Sequence, residues 1–174
     1  MSKELRTAQT ARTPQTPQQR QHVVLQIIQP GLAGLMDGSV STLAPIFAAA
    51  FATHTSRAAF LVGLAAAVGA GISMAFSEGL SDTGELTGRG SPQIRGAITG
   101  IGTFLGGILH TLPFLITNYH AAIVLAAIVV AFELIALAVI RWKFFQTGFL
   151  KSLFAISIGG AVIAVVGAVI GSAG

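Results

Sequence analysis

Three carboxylic side chains lie inside long apolar segments of the sequence: Asp37, Glu78 and Glu133. A charged carboxylate at the centre of a bilayer costs about 2.5–3.5 kcal/mol on insertion scales, so such residues face a protein interior or a water path and are candidates for function. A carboxylate is a hard oxygen ligand for cations, and burial favours its protonated form. One group can therefore hold a metal ion or a proton in turn, which is a simple chemical basis for ion exchange.

A methionine lies at the depth of the first acid. If two antiparallel helices turn near Thr55, Asp37 on the first is level with Met74 on the second, and Glu78 follows one turn later on the same face. Carboxylate oxygens with a thioether suit a borderline first-row divalent ion better than Mg²⁺ or Ca²⁺, although membrane methionines are commonly packing residues. The pattern predicts a metal site of Asp37, Met74 and Glu78.

Two further acids follow at helical spacing. Asp82 and Glu85 come four and seven residues after Glu78. If the helix extends that far, they form a carboxylate ladder that captures cations at the cytoplasmic mouth. Glycines at 79 and 84 favour an ordinary solvated loop instead. Both interpretations remain open from the sequence.

The third apolar segment contains a histidine. His110 comes fifteen residues after Arg95, so it is expected about 22 Å along the helix and in the outer half of the membrane. It is a candidate for a proton relay or for a single structural hydrogen bond. Glu133 is expected in the cytoplasmic half with the other two acids, either as a member of a proton relay or paired with Arg141 or Arg95 to hold the bundle together. Pro113 should kink the helix.

These residues require elements that cross a bilayer. The 174 residues are 53% hydrophobic and only 9% charged, against about 25% charged in soluble proteins. We predict an all-α integral membrane protein with a disordered polar and basic cytoplasmic tail over residues 1–22 and a five-helix transmembrane domain over residues 23–174. The five apolar blocks, each long enough to span, are Val23–Thr53, Ala58–Leu80, Ile94–Thr117, Ala121–Ile140 and Gly148–Ser172. The first is long enough to project into the cytoplasm or to break at Pro30 and Gly31.

Charge and motifs narrow the function. Nine of the ten Lys and Arg residues flank one side of the five spans and only Arg57 the other, which places the N-terminus in the cytoplasm and the C-terminus outside. The basic residues form no patch for nucleic acid. No metalloprotease, P-loop or serine-hydrolase motif is found, so neither an enzyme nor a bound cofactor is expected. Pairs of glycines four apart, at 102 and 106 and at 167 and 171, predict a tightly packed, oligomeric bundle.

Four segments resemble the vacuolar iron transporter family. Residues 34–43 (GLMDGSVSTL) and 69–81 (GAGISMAFSEGLS) are similar to its first two helices. Residues 81–92 (SDTGELTGRGSP) and 107–115 (GILHTLPFL) are similar to its bacterial branch, the membrane-bound ferritin-like iron exporters. The resemblance covers about residues 21–174.

The resemblance implies a homodimer of five-helix protomers in the cell (inner) membrane, which exports Fe²⁺ or Mn²⁺ from the cytoplasm against inward proton flow. It implies that Asp37 and Met74 line the path at the dimer interface and that Glu78 lies near its cytoplasmic end. The Glu-rich metal-collecting insertion and the ferritin-like domain of such proteins have no counterpart here, so a separate ferritin-like protein is a candidate iron donor. The alternatives are a transporter of another small cation and a non-transporting membrane scaffold.

Overall fold

The computed structural model describes residues 16–145 and 148–173. Every regular element in this part of the chain is helical. The elements are α1 (Pro17–Val23), a π-helical turn (Val24–Ile28), α2 (Gln29–Ser41), α3 (Leu43–Thr53), α4 (Ser56–Gly79), α5 (Pro92–Leu109), a short 3₁₀ helix (Leu112–Leu115), α6 (Tyr119–Phe145) and α7 (Phe149–Ser172). The all-helical prediction is thus confirmed for the described residues.

The polar N-terminal segment becomes helical earlier than its composition predicts. Thr16 and Gln19 form a capping box, in which each side chain accepts a hydrogen bond from the other's backbone N–H, at 3.3 and 3.0 Å. Pro17 follows at the first helical position, where a missing N–H costs nothing. Residues 17–22 are therefore helical, and the prediction of a disordered tail is wrong for them. Residues 1–15 of that predicted tail lie outside the described part of the chain.

Two helices end four residues before a proline. The last residue of α2 is Ser41, before Pro45, and the last residue of α5 is Leu109, before Pro113. Proline has no N–H for the carbonyl four residues earlier, and its ring crowds that carbonyl. The first residues beyond these ends, Thr42 and His110, therefore lie at proline-induced helix breaks, and the kink expected from Pro113 is a complete helix end.

Pro30 does not break the first long helical segment. It also deprives a carbonyl, that of Gln26, of its usual N–H, but here the chain forms the π-helical turn Val24–Ile28 and continues into α2. The expected break at Pro30 and Gly31 is therefore replaced by a local widening of the helix, and the first segment runs from Pro17 to its break at Thr42.

The chain runs along the bundle five times. Gly34 and Gly38 of α2 lie against Thr99 and Thr103 of α5, so these two helices are parallel. The closest contacts of α4 with α5 are antiparallel (Ala67 with Gly107, Gly71 with Gly100), as are those of α6 with α7 (Leu137 with Ile156, Leu134 with Gly160). The passes thus alternate in direction, and α5 with the short 3₁₀ helix makes the third.

The two ends of the bundle differ in charge. At one end the turn after α3 meets the start of α6, where the rings of His54 and Tyr119 lie 5.6 Å apart; we call this the His54 end. At the other end, the Arg95 end, the loop 80–91 folds over the start of α5. Of the described basic residues, only Arg57 belongs to the His54 end. The Arg95 end has Arg20, Arg89, Arg95, Arg141, Lys143 and Lys151.

Four helical segments are long and apolar enough to cross a membrane, which indicates a membrane-embedded protein. They are Pro17–Thr53, Ser56–Gly79, Tyr119–Phe144 and Phe149–Ser172. The third pass does not meet the same criterion, because α5 is the least apolar of the helices that run the length of the bundle.

Helix α5 is polar inside and apolar outside. Its buried residues are Arg95, Gly96, Thr99, Gly100, Gly102, Thr103, Gly106 and Gly107. Between Ile94 and Leu109 its exposed side chains are Ile94, Ala97, Ile101, Leu105 and Leu109, all apolar. A helix in water shows the opposite pattern. The low hydropathy of α5 therefore comes from its buried face, while its outer face suits lipid.

Both glycine pairs are used inside the protomer. Gly102 and Gly106 lie against the backbone of α2, and Gly167 and Gly171 lie against Ala44 and Ala48 of α3. Small residues here let two backbones approach closely within one chain. The predicted tight packing is therefore present, and these motifs give no support to an interface between chains.

Candidate functional site

Two acids and two arginines form an ion-pair cluster at the Arg95 end. The Oε1 atom of Glu78 accepts from Arg89 Nη2 at 2.7 Å and from Arg95 Nε at 2.8 Å. Asp82 bonds to the same two guanidinium groups, at 3.1 Å from Arg89 and 3.2 Å from Arg95. We call these four residues the Arg–acid cluster; its formal charge is zero, because two carboxylates meet two guanidinium groups.

Arg95 is the buried centre of this cluster. Its side chain is 0% exposed, and it also donates to the carbonyl oxygens of Gly90 at 2.9 Å and of Asp82 at 3.4 Å. Gly90 adopts a left-handed backbone with φ of 77°, as do Gly84 and Gly88 in the same loop. The three glycines allow the loop 80–91 to turn back over α5 and bring its carbonyls to Arg95.

The cluster stabilises the ionised form of Asp82. Partial burial raises the pKa of the Asp82 carboxyl, but its hydrogen bonds and the charge of Arg95 lower it more, so this pKa lies below its ordinary value of 3.8. The donors are the backbone N–H of Gly84, the Thr87 hydroxyl and the Arg89 guanidinium. Asp82 is therefore an anion near neutral pH, held by cationic neighbours.

The predicted carboxylate ladder is not helical. Helix α4 ends at Gly79, so Asp82 and Glu85 lie in the loop rather than on a helical face below Glu78. Glu85 is exposed and forms no ion pair within the described part of the chain. The solvated-loop interpretation therefore describes Glu85, whereas Glu78 and Asp82 are partnered by arginine in this conformation.

A second polar cluster lies in the interior of the bundle. His110 Nδ1 is 2.9 Å from Glu133 Oε2, and His110 Nε2 is 2.7 Å from the hydroxyl of Thr42. The Thr42 hydroxyl also donates to the carbonyl of Gly38 at 2.8 Å. Thr42, His110 and Glu133 are all buried, with exposures of 0, 1 and 7%. We call His110 and Glu133 the buried pair.

The depth expected for Glu133 is wrong. The buried pair joins Glu133 to His110, whereas Glu78 is joined to Arg95. His110 and Arg95 are fifteen residues apart along α5, or about 22 Å. Glu133 therefore lies far from Glu78 along the bundle, and the three acids do not gather at one end. The expected partners of Glu133 are Arg141 and Arg95, but its hydrogen-bond partner in the structure is His110.

Asp37 has no ion-pair partner within the described residues. It lies on α2 one turn from Ala33 and from Ser41, both exposed, and is itself half-buried. Gly34 and Gly38, which lie against α5, are neighbours of this stripe on the helix surface. Asp37 therefore lies on a partly exposed stripe of α2 beside the contact with α5.

The described residues of one protomer do not assemble a complete metal site. No group of three or more His, Asp or Glu side chains is close enough to hold an ion in the described ranges. Met74 is half-buried on α4. The roles predicted for Asp37, Met74 and Glu78 remain predictions.

Comparisons of the chain with protein-family models, with curated proteins and with solved structures find no match.

Sequence reasoning missed Thr42 and the central role of Arg95. The signal for Thr42 is a proline three residues later, since the helix must end before it. Arg95 carries no such local signal, because its partners Glu78 and Asp82 are seventeen and thirteen residues away in the chain.

Proposed function

We propose that this protein is a membrane transporter that exports a divalent metal ion, Fe²⁺ or Mn²⁺, from the cytoplasm in exchange for protons. The identity of the transported ion is inferred from the family resemblance. The exchange of that ion for protons is inferred from the buried acids. A homodimer with five membrane-crossing passes per protomer, in the cell (inner) membrane, completes the proposal.

The unpartnered acid of α2 carries this proposal. Glu78, Asp82 and Glu133 each have a cationic or histidine partner, whereas Asp37 has none within the described residues. An ionised carboxylate on a membrane-crossing helix is stable only when something compensates its charge. A transported cation, bound between Asp37 of one protomer and Asp37 of a second copy, supplies that charge.

The five-pass arrangement is supported by direction and by charge. The passes alternate, and the exposed face of α5 is apolar from Ile94 to Leu109. The excess of Lys and Arg at the Arg95 end favours the cytoplasm for that end. We therefore assign α5 as the third membrane-crossing pass and the His54 end to the outer side.

The Arg–acid cluster then lies at the cytoplasmic mouth. Both arginines bind the Oε1 atom of Glu78 in this conformation, and Arg89 is 24% exposed while Arg95 is fully buried. We propose that Arg89 competes with the metal ion for Glu78 and Asp82, so that capture is an exchange of cations on the two carboxylates.

The test is Fe²⁺ flux into proteoliposomes that contain the purified protein. We expect Asp37→Asn to abolish flux, because the amide cannot compensate a divalent cation, while the variant stays folded and keeps the wild-type oligomeric state. Glu85→Gln makes the same change of charge on the exposed loop and is expected to retain flux. Full activity of Asp37→Asn would remove Asp37 from the ion path, and wild-type protein without Fe²⁺ or Mn²⁺ flux would favour the scaffold alternative.

A further inference from the structure

Two helix breaks meet at one hydrogen bond inside the bundle. Thr42 is the first residue after α2 and His110 the first after α5, and their side chains are joined at 2.7 Å. Thr42 lies eleven residues before Thr53, hence about 16 Å from the His54 end. This depth is near the middle of a hydrocarbon core about 30 Å thick. Interrupted helices at this depth commonly form the ion sites of transporters.

The hydrogen-bond donors around His110 fix where its protons lie. A threonine hydroxyl has one hydrogen, and that of Thr42 is given to the carbonyl of Gly38. The Thr42 oxygen must therefore accept from His110, so Nε2 carries a hydrogen. The contact of 2.9 Å between Nδ1 and Glu133 Oε2 then holds one more proton, on either atom. With that proton the buried pair is neutral overall, as imidazolium with carboxylate or as imidazole with carboxylic acid.

The second oxygen of Glu133 is free to take a further proton. Its Oε1 atom is buried and has no hydrogen-bond partner among the described residues. Buried polar atoms are nearly always hydrogen-bonded, so the unsatisfied Oε1 atom is available to a further proton or donor. One proton added to Oε1 converts the neutral pair into imidazolium with carboxylic acid and raises its charge by one. Its loss restores the neutral pair, and no other bond is made or broken.

We propose that the buried pair, and not Asp37 or Glu78, binds the proton that is exchanged for the metal ion. This assignment rests on the proposed transport function. Glu78 is already held by two arginines, and Asp37 is the acid left for the cation. The pair is closed to solvent in this conformation. A proton-binding site must be closed in this way while the proton passes from one side of the membrane to the other.

Several other ionisable groups lie on the helices that surround the buried pair. The other ionisable groups on the helices around it are Asp37 on α2, Arg57 and Glu78 near the ends of α4, Arg95 on α5, Tyr119, His120, Arg141 and Lys143 on α6, and Lys151 on α7. The imidazole ring of His110 is hydrogen-bonded to Thr42 and Glu133 alone within the described residues.

Thr42 connects the proton site to the helix that carries the metal ligand. Its hydroxyl bridges His110 to the carbonyl of Gly38, the residue next to Asp37. Addition of a proton to the pair makes the Nε2–H group of His110 a stronger hydrogen-bond donor. Thr42 transmits this change to the last turn of α2. The bridge gives proton binding a direct route to the position of Asp37.

The first test separates metal movement from proton coupling in proteoliposomes. Exchange of radiolabelled Fe²⁺ is measured with equal Fe²⁺ on both sides, and net Fe²⁺ accumulation is measured under an imposed pH gradient. Glu133→Gln and His110→Gln should retain exchange and lose pH-driven accumulation to the level of protein-free vesicles. Glu85→Gln and His120→Gln change exposed residues, so they are the matched controls and should behave as wild type. Wild-type accumulation in Glu133→Gln would overturn the assignment.

The bridging role of Thr42 has its own pair of variants. Thr42→Val removes the oxygen at nearly constant volume and should weaken pH-driven accumulation with exchange retained. Thr42→Ser keeps the oxygen and should restore coupling. Equal coupling in the two variants would show that Thr42 does not act as a bridge.

A second measurement tests the proton site without transport. Infrared difference spectra between two pH values are recorded on wild-type protein in lipid. We expect a protonated-carboxyl band that disappears in Glu133→Gln and changes its pH midpoint in His110→Gln. If Glu133→Gln leaves the spectrum unchanged, the pair does not bind the proton. If the wild type lacks Fe²⁺ exchange but shows the Glu133 band, the transport proposal fails while the proton site stands.

Discussion

The two arginines of the Arg–acid cluster differ in how deeply they are buried. Arg95 is buried and holds Glu78, Asp82 and the loop carbonyl of Gly90, whereas Arg89 holds the same acids from a partly exposed position. Removal of one member of a buried ion pair leaves an unpaired charge, which is costly, whereas an exposed pair contributes little.

We expect Arg95→Ala to lower the free energy of unfolding by about 3–5 kcal/mol and Arg89→Ala by less than about 1 kcal/mol. Arg95→Lys should rescue only part of the loss, because a single ammonium cannot replace the planar fork of the guanidinium group. Thermal unfolding of the purified variants in one detergent measures these differences. A larger loss for Arg89→Ala than for Arg95→Ala would contradict the account of the Arg–acid cluster.

The lowered pKa of Asp82 predicts a pH dependence of stability. A carboxyl whose pKa is lower in the folded state stabilises the fold fully above its ordinary value of 3.8, and this contribution is lost as pH falls through the lower, folded-state pKa. The unfolding temperature of the wild type should therefore fall in strong acid more steeply than that of Asp82→Asn. Parallel curves for the two proteins would show that Asp82 contributes no such term.

At the scale of single residues, the sequence indicated which ionisable residues are unusual better than it indicated which residues they contact. Asp37, Glu78, His110 and Glu133 could be selected because an ionisable group in an apolar segment is unusual. Their neighbours depend on how far each helix is shifted against the next, and no local pattern encodes that shift. The pairing of Glu133 with His110, rather than with an arginine, is the clearest example.

The helices are positioned by glycines on one side and by prolines at their ends. A methyl group at Gly38 would overlap the carbonyl of Thr103, whereas Gly69 on α4 has open space around its Cβ position. The contact of α2 with α5 therefore requires glycine, and Gly69 serves no packing role within the protomer.

Gly38→Ala should separate α2 from α5 and lower the unfolding temperature strongly, while Gly69→Ala should be neutral or stabilising by up to about 1 kcal/mol through helix propensity. Both variants add one methyl group to a membrane helix, so they form a matched pair for thermal unfolding in detergent. Similar unfolding temperatures for the two would show that the close approach of α2 and α5 is not a determinant of the fold.

Helix ends were partly readable from the sequence. The rule that proline removes a bond to the fourth preceding carbonyl accounts for the ends at Ser41 and Leu109. The same rule does not distinguish these ends from the π-helical turn before Pro30, because a helix can also absorb a proline by widening when its neighbours hold it.

The whole molecule is a bundle traversed five times, with charge concentrated at one end. Four of the predicted apolar blocks overlap helical segments that are long and apolar enough to cross a membrane, and the block 94–117 forms α5 and the short 3₁₀ helix. The third pass is the least apolar and depends on its neighbours to cover its polar face. Composition could therefore predict a membrane bundle, while the crossing of α5 has to be measured.

The chain has no cysteine, so single cysteines report topology cleanly. If α5 crosses the membrane, Thr83→Cys in the loop 80–91 and Thr117→Cys before α6 lie on opposite sides. We expect an impermeant thiol reagent added to intact cells to label Thr117→Cys, and to label Thr83→Cys only after the cells are opened. Labelling of both from the same side would contradict five passes.

The central claim is that metal ions and protons cross this bundle in opposite directions, and simultaneous measurement of both fluxes in proteoliposomes of the wild-type protein tests it most directly. Fe²⁺ is added outside the vesicles, with a metal-sensitive dye and a pH-sensitive dye read on the same sample. The account predicts that Fe²⁺ entry is accompanied by proton exit and accelerates when the vesicle interior is made more acidic. Folded protein that moves neither Fe²⁺ nor Mn²⁺, or that moves them at a rate independent of the pH gradient, would contradict it.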